Sequence, residues 1–112
     1  MPKETILIVD DEDFMVQAIE RVLSLEGYET IGTVDPKEAI RIMQEFSPDV
    51  LICDQRMPSM TGVELMMKAR TISPNTVRLL ISGYSDINVV ISAINNGQIF
   101  QYISKPWKND EL

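Results

Sequence analysis

Acidic side chains follow two of the short apolar runs in this 112-residue sequence. The acidic run Asp10–Asp13 comes directly after Thr5–Val9, and Asp54 comes directly after Asp49–Cys53. Carboxylates that crowd together repel one another, which raises their pKa values unless a cation neutralises them. Mg²⁺ suits such a site, because it is commonly held by one or two carboxylates together with water and a phosphate. The pattern therefore indicates a carboxylate site for Mg²⁺.

A hydroxyl group and an ammonium group follow two further apolar runs. Ser82 comes directly after Thr76–Ile81, and Lys105 comes soon after Ile99–Ile103. A fixed positive charge can stabilise the negative charge of an incoming phosphoryl group. If Lys105 lies beside the carboxylates, the site is suited to phosphate chemistry.

The elements that must bring these residues together are strands and helices in alternation. Five short β-rich apolar runs occur here: Thr5–Val9, Tyr28–Thr33, Asp49–Cys53, Thr76–Ile81 and Ile99–Ile103. Several of them are continuous rather than alternating, which is typical of strands covered on both faces. Segments of helical period separate them, so we predict an α/β fold with a doubly wound, five-stranded parallel sheet and right-handed crossovers. In such a sheet, functional groups gather at the carboxyl ends of the strands, which is where the four polar sites fall.

Capping signals predict where the helices begin and end. We expect Asp13 to cap the first helix and Gly27 to end it, because aspartate suits the start and glycine the end of a helix. The next two helices open with capping boxes at 35–38 and 61–64, the third ends before Ser73, and the fourth runs from near 85 or 86 to Gly97. Apolar periodicity places Met43 and Phe46 on the buried face of the second helix. The last residues, 107–112, resemble the start of a fifth helix that is largely missing.

Composition excludes several functional classes. The sequence has no histidine, so it cannot hold a Ser-His-Asp triad or a histidine-ligated zinc ion. Its single cysteine, Cys53, cannot form an internal disulfide, which suits a reducing cytoplasm. The net charge of −7 argues against direct binding of nucleic acid by this domain, and no apolar run is long enough to span a membrane.

The ordered set of motifs resembles the receiver domain of bacterial two-component response regulators. The resemblance runs from about residue 5 to the C-terminus, and it is carried by the acidic start at Asp10–Glu12, the segment Asp54–Gly62, Ser82-Gly83 and Lys105-Pro106. It implies a flavodoxin-like sheet of strand order 2-1-3-4-5. It also implies a signalling switch that is a phosphoacceptor rather than an enzyme.

The same resemblance implies roles for individual residues. Asp54 would accept a phosphoryl group from the phosphohistidine of a kinase, forming an acyl phosphate. The Mg²⁺ ligands would be Asp11, Asp54 and the backbone carbonyl of Arg56, with Asp10 acting mainly through water. Ser82 and Lys105 would contact the phosphoryl oxygens, and Tyr102 would be the aromatic switch residue.

Two other functions compete with this interpretation. A Mg²⁺-dependent phosphatase of the haloacid dehalogenase type also phosphorylates an aspartate, but it needs a small hydroxyl residue where this sequence has Phe14, and room for a cap domain. A degenerate receiver would only bind partners, although this sequence retains all the acceptor-site residues.

We expect residues 1–112 to be one receiver domain and the N-terminal part of a longer protein. Its partners would be a sensor histidine kinase and an output domain beyond Leu112, and a homodimer stays open. The segments around Asp54 and from Gly97 to Trp107 look most like receivers fused to HD-GYP phosphodiesterases or NtrC-type activators.

Overall fold

The computed structural model describes residues 4–55, 57–82 and 101–104, which form a parallel sheet with helices on both faces. The elements in chain order are β1 (Thr5–Val9), α1 (Asp13–Leu25), β2 (Glu29–Thr33), α2 (Pro36–Glu45), β3 (Val50–Asp54), α3 (Gly62–Ile72), β4 (Val77–Ser82) and β5 (Gln101–Ser104). The sheet has five strands in the order β2-β1-β3-β4-β5, which confirms the predicted flavodoxin-like fold. The predicted fourth helix and the start of the fifth lie outside the described residues.

Two apolar layers hold the helices against the sheet. Alternate residues of a strand point to opposite faces, so Leu51 of β3 packs with α2 and α3 while Ile52 packs with α1. Both side chains are almost fully buried, which explains why the central strands are apolar throughout. The layers fix the strand ends relative to one another. They therefore also fix the relative positions of the polar residues at those ends.

The predicted helix ends are correct for α3 and for the end of α1, and they need correction at the start of α1 and in α2. Asp13 does not cap α1: the N-cap is Glu12, and Asp13 is the first helical residue, whose carboxylate accepts a hydrogen bond from Gln17 one turn on. Phe46 is not on the buried face of α2, because the chain becomes extended there and leaves the ring 42% exposed. Gly27, with φ at 93°, follows the end of α1 as predicted.

Asp35 is the N-cap of α2 and Pro36 its first residue, as predicted, but the predicted capping box is not completed by Glu38. Asp35 does accept a hydrogen bond from the backbone of Lys37. Glu38, however, accepts from the hydroxyl of Thr33, and it is the Thr33 hydroxyl that accepts from the backbone N–H of Asp35. Thr33 is thus the residue that completes this cap.

Across the described ranges, no helix is both long enough and apolar enough to cross a membrane.

Candidate functional site

The register of the sheet brings the predicted site residues to one edge. Val9 of β1 pairs with Cys53 of β3, so Asp10 and Asp54 each follow directly after a paired residue on neighbouring strands. Asp54 in turn pairs with Ile81 of β4, the residue before Ser82. The carboxyl ends of β1, β3 and β4 therefore lie side by side, with Asp10 level with Asp54 and Ser82 one residue further along.

Asp10 is buried and held in place by backbone groups. Its side chain is 1% exposed, and its Oδ1 accepts a hydrogen bond of 3.0 Å from the backbone N–H of Glu12. Its own N–H donates to the carbonyl of Thr33 at 3.3 Å, which extends the pairing of β1 with β2. These bonds fix the Asp10 carboxylate at the edge of the sheet.

Three consecutive carboxylates form a compact oxygen cluster. One carboxylate oxygen from each of Asp10, Asp11 and Glu12 lies within 4.8 Å of the others. Asp11 and Glu12 are exposed whereas Asp10 is buried, so the cluster opens from the interior to solvent. Hard oxygen ligands of this kind fit Mg²⁺. The sequence prediction named Asp10 and Asp11 but missed Glu12, although its place in the acidic run was visible.

Asp54 adds a further buried carboxylate beside this cluster. Within the described part of the chain it is not a member of the compact group, but its side chain is only 5% exposed at the end of the neighbouring strand. The pKa of the adjacent Cys53 thiol is raised well above its usual value, first by burial and then by the negative charges of Asp54 and Asp10. The negative charges of Asp54 and Asp10 thus both act on the buried Cys53 thiol at this end of the sheet.

The helix that follows Asp54 begins in direct contact with it. A Cβ atom on Gly62 would overlap the backbone carbonyl oxygen of Asp54 and the side chain of Leu80, so only glycine permits this approach. Thr61 caps α3 with a full capping box, as predicted, through reciprocal bonds with Glu64. Sequence reasoning missed Gln55, whose side chain is 6% exposed and accepts a hydrogen bond from the backbone of α3.

Two of the predicted site residues are not described by the structure, and two more are described only by their backbones. Arg56 and Lys105 lie outside the described residues. The backbones of Ser82 and Tyr102 belong to β4 and β5, where Leu80 pairs with Tyr102 and Ser82 pairs with Ser104. Ser82 therefore lies on the strand between Asp54 and Tyr102, as the prediction requires.

Comparison with known families separates the receiver domain from the phosphatase of the haloacid dehalogenase type. A family model described as the response regulator receiver domain matches residues 6–112. The chain belongs to this family. It is therefore a receiver domain of two-component systems, a family of phosphoacceptor signalling domains, and not a phosphatase of the haloacid dehalogenase type.

Individual relatives agree with this assignment. The chain is 42% identical over 109 residues to the hydrogenase transcriptional regulatory protein HoxA of Cupriavidus necator, covering 96% of this chain and 22% of that protein. It is 27% identical to the sporulation initiation phosphotransferase F of Bacillus subtilis, covering 100% of this chain and 90% of the relative. A receiver domain structure from Clostridium thermocellum superposes with a TM-score of 0.90 at 30% identity, covering 96% of this chain and 86% of that one.

This chain spans only about a fifth of the length of HoxA, because the match covers 22% of that protein. Receiver domains of this family bind Mg²⁺ at an acidic cluster, and Asp10, Asp11 and Glu12 offer a cluster that could hold the ion.

Proposed function

We propose that this receiver domain is a phosphorylation-dependent switch in which Asp54 accepts a phosphoryl group from a histidine kinase. The observation that carries the proposal is the pair of buried carboxylates, Asp10 and Asp54, at adjoining strand ends beside an open acidic cluster. Buried carboxylates at the carboxyl ends of adjoining parallel strands are the arrangement expected of a site that holds Mg²⁺ and a phosphoryl group.

In the proposed reaction, a carboxylate oxygen of Asp54 attacks the phosphorus atom of phosphohistidine. The new bond is P–O, the bond that breaks is P–N, and the departing imidazole nitrogen takes up a proton. The product on this chain is an acyl phosphate, which water later hydrolyses to restore the Asp54 carboxylate. The work left to the rest of the site is to hold the phosphoryl group in line and to stabilise its charge.

The neighbouring residues supply that stabilisation. We assign Lys105 and Ser82 to the phosphoryl oxygens, where an ammonium group and a hydroxyl group can form charge-assisted hydrogen bonds. Asp11, Asp54 and the backbone carbonyl of Arg56 would hold Mg²⁺, with Asp10 acting mainly through water. When bound, Mg²⁺ neutralises the crowded carboxylates and the charge of the phosphoryl oxygens.

The test is chemical phosphorylation of the purified domain. Acetyl phosphate or phosphoramidate with Mg²⁺ should add one phosphate, measured by mass spectrometry and removed by hydroxylamine. Asp54→Asn should take no label and EDTA should block labelling of the wild type, whereas the exposed Asp13→Asn control should label normally. Full labelling of Asp54→Asn, or a wild type that never labels, would reject the proposal, and the second result would favour a degenerate receiver.

We propose that Ser82 and Tyr102 relay phosphorylation to an output surface. A phosphoryl group on Asp54 offers the Ser82 hydroxyl a strong hydrogen bond, which draws the end of β4 toward Asp54. The movement frees space beside β5, into which Tyr102 turns. A ligand shifts an equilibrium only by its differential affinity, and one such bond of about 1.5–3 kcal/mol corresponds to roughly ten- to a hundredfold.

Structures with and without Mg²⁺ and beryllofluoride, a phosphoryl mimic, test the relay. Tyr102 should be outward or mixed without the mimic and inward with it. Ser82→Ala should still be phosphorylated but should respond more weakly. The same Tyr102 rotamer and Ser82 position in both states would show that the domain signals by another route.

The proposed partners follow from the same function. The domain would act in the cytoplasm, where a sensor histidine kinase would supply the phosphoryl group. An output domain beyond Leu112, of the NtrC or HD-GYP type, would read the switch. The reading frame past Leu112 tests the second point, and sedimentation with and without beryllofluoride tests for a homodimer.

A further inference from the structure

We propose that Gln55 is a positioning residue for the phosphoacceptor carboxylate, an inference that rests on the function proposed above for Asp54. Gln55 follows Asp54 directly, and its amide side chain is buried, with 6% exposed. A buried amide needs hydrogen-bond partners. The side-chain amide of Gln55 bonds to α3, and its backbone N–H bonds to β4.

Gln55 accepts hydrogen bonds from two of the four N–H groups at the start of α3 that have no partner within the helix. The first N–H groups of a helix have no partner within it and must be satisfied from outside. The capping box serves two of them, Thr61 and Glu64. Gln55 serves the other two: its backbone carbonyl accepts from Gly62 at 2.9 Å, and its side-chain Oε1 accepts from Val63 at 2.9 Å.

The same residue also ties the end of β3 to β4. The backbone N–H of Gln55 donates to the carbonyl of Ile81 at 3.1 Å, immediately before Ser82. One residue therefore joins three parts of the site: the strand that carries Asp54, the strand that carries Ser82, and the start of α3. The close approach of Gly62 to the Asp54 carbonyl leaves little freedom between them.

This arrangement matters because phosphoryl transfer depends on position. Attack needs the Asp54 carboxylate in line with the breaking bond, and small misplacements of reacting groups cost large factors in rate. The residue after Gln55 is Arg56, whose backbone carbonyl we propose as a Mg²⁺ ligand. Gln55 thus anchors the chain between the nucleophile and a metal ligand, without touching the phosphate itself.

A matched pair of variants separates positioning from simple helix capping. Gln55→Leu removes the acceptor for Val63 and keeps a similar volume, whereas Thr61→Val removes the hydroxyl that accepts from Glu64 at the start of the same helix. Three quantities are measured for each: stability in urea, Mg²⁺ affinity by calorimetry without phosphodonor, and the labelling rate with phosphoramidate. Both variants should lose stability. Only Gln55→Leu should also weaken Mg²⁺ binding and slow labelling, each by about tenfold.

Two further variants keep the test decisive. Gln55→Glu retains an acceptor oxygen, and a carboxylate is favourable at a helix N-terminus, so stability in urea and the labelling rate at saturating Mg²⁺ should return towards those of the wild type. If Gln55→Leu does not fold, Gln55→Asn serves instead, because its shorter side chain cannot reach Val63.

The outcomes distinguish this inference from the proposed function. Gln55 variants that bind Mg²⁺ and label as fast as Thr61→Val overturn the positioning role, while a labelled wild type leaves the role of Asp54 intact. A wild type that takes no label at Asp54 rejects both.

Discussion

Replacing Gly62 with alanine places a methyl group where α3 begins against the end of β3. The added Cβ would overlap the carbonyl oxygen of Asp54 and the side chain of Leu80. Leu80 can change rotamer, but the carbonyl belongs to the backbone and cannot yield unless the start of α3 moves away. We therefore expect Gly62→Ala to destabilise the domain, although alanine is the better helix former.

The magnitude follows from two opposing terms. Inserting a methyl group into a tightly packed site typically costs about 1–3 kcal/mol. The gain in helix propensity from glycine to alanine is at most about 1 kcal/mol in a helix interior, and it is smaller at the first helical position. The net loss should be about 1–2 kcal/mol, and each kcal/mol corresponds to a fall in Tm of roughly 4–8 °C for a domain of nearly this size.

Equilibrium unfolding in urea, followed by circular dichroism, measures this loss. Gly27→Ala is the matched control, because Gly27 has φ at 93° and nothing within 4 Å of its would-be Cβ. That variant should also lose about 1–2 kcal/mol, from backbone strain alone. Only Gly62→Ala should slow phosphorylation of Asp54. A Gly62→Ala protein as stable as the wild type would refute the packing argument.

Three further predictions concern other sites. The pKa of the buried Cys53 thiol is raised in the folded protein, so as the pH rises the thiol of the unfolded chain ionises first, near its ordinary value of 9.0. Above that pH the stability of the wild type should therefore fall relative to that of Cys53→Ala, by up to about 1.4 kcal/mol per pH unit. If the stability difference between the wild type and Cys53→Ala is the same at pH 8 and pH 10, roughly one unit below and above the ordinary thiol pKa, this prediction is contradicted. Thr76→Val should cost about 1–3 kcal/mol in urea unfolding, because the buried Thr76 hydroxyl donates to the carbonyl of Pro48 at 2.7 Å, whereas the exposed Thr71→Val should change stability little. Lys105→Ala should slow labelling of Asp54 but leave calorimetric Mg²⁺ affinity unchanged or tighter, because a nearby positive charge is removed; loss of Mg²⁺ binding would count against that division of roles.

The sheet and the edge that carries the site could be predicted from the sequence because they depend on strong local signals. Continuous apolar runs identified the strands, and β1 matched its prediction of Thr5–Val9 at both ends. The acidic residues that follow the strands then fell at one edge, as the chain topology demands.

The features that the sequence did not reveal depend on contacts between distant segments. Gln55 carries no local sequence signal for its role, because its partner Val63 approaches only once the loop between them closes. Glu38 resembled half of a capping box, yet the backbone N–H of Asp35 donates to the hydroxyl of Thr33 instead. Phe46 continued a helical period that the backbone had already left.

The pairing of β1 with β3 has a consequence for how the domain acquires its site during folding. Asp10 and Asp54 become neighbours only when these two strands pair, and β2 and α2 lie between them in the chain. Such non-local pairing must first pay the entropy of closing a long loop, so it tends to form late and slowly. A chain that has formed its helices and local turns but not the centre of the sheet would keep its two buried acids apart and hydrated. The two carboxylates therefore come close together only when the apolar strands around them pack, and the burial of those strands offsets the cost of carboxylate repulsion.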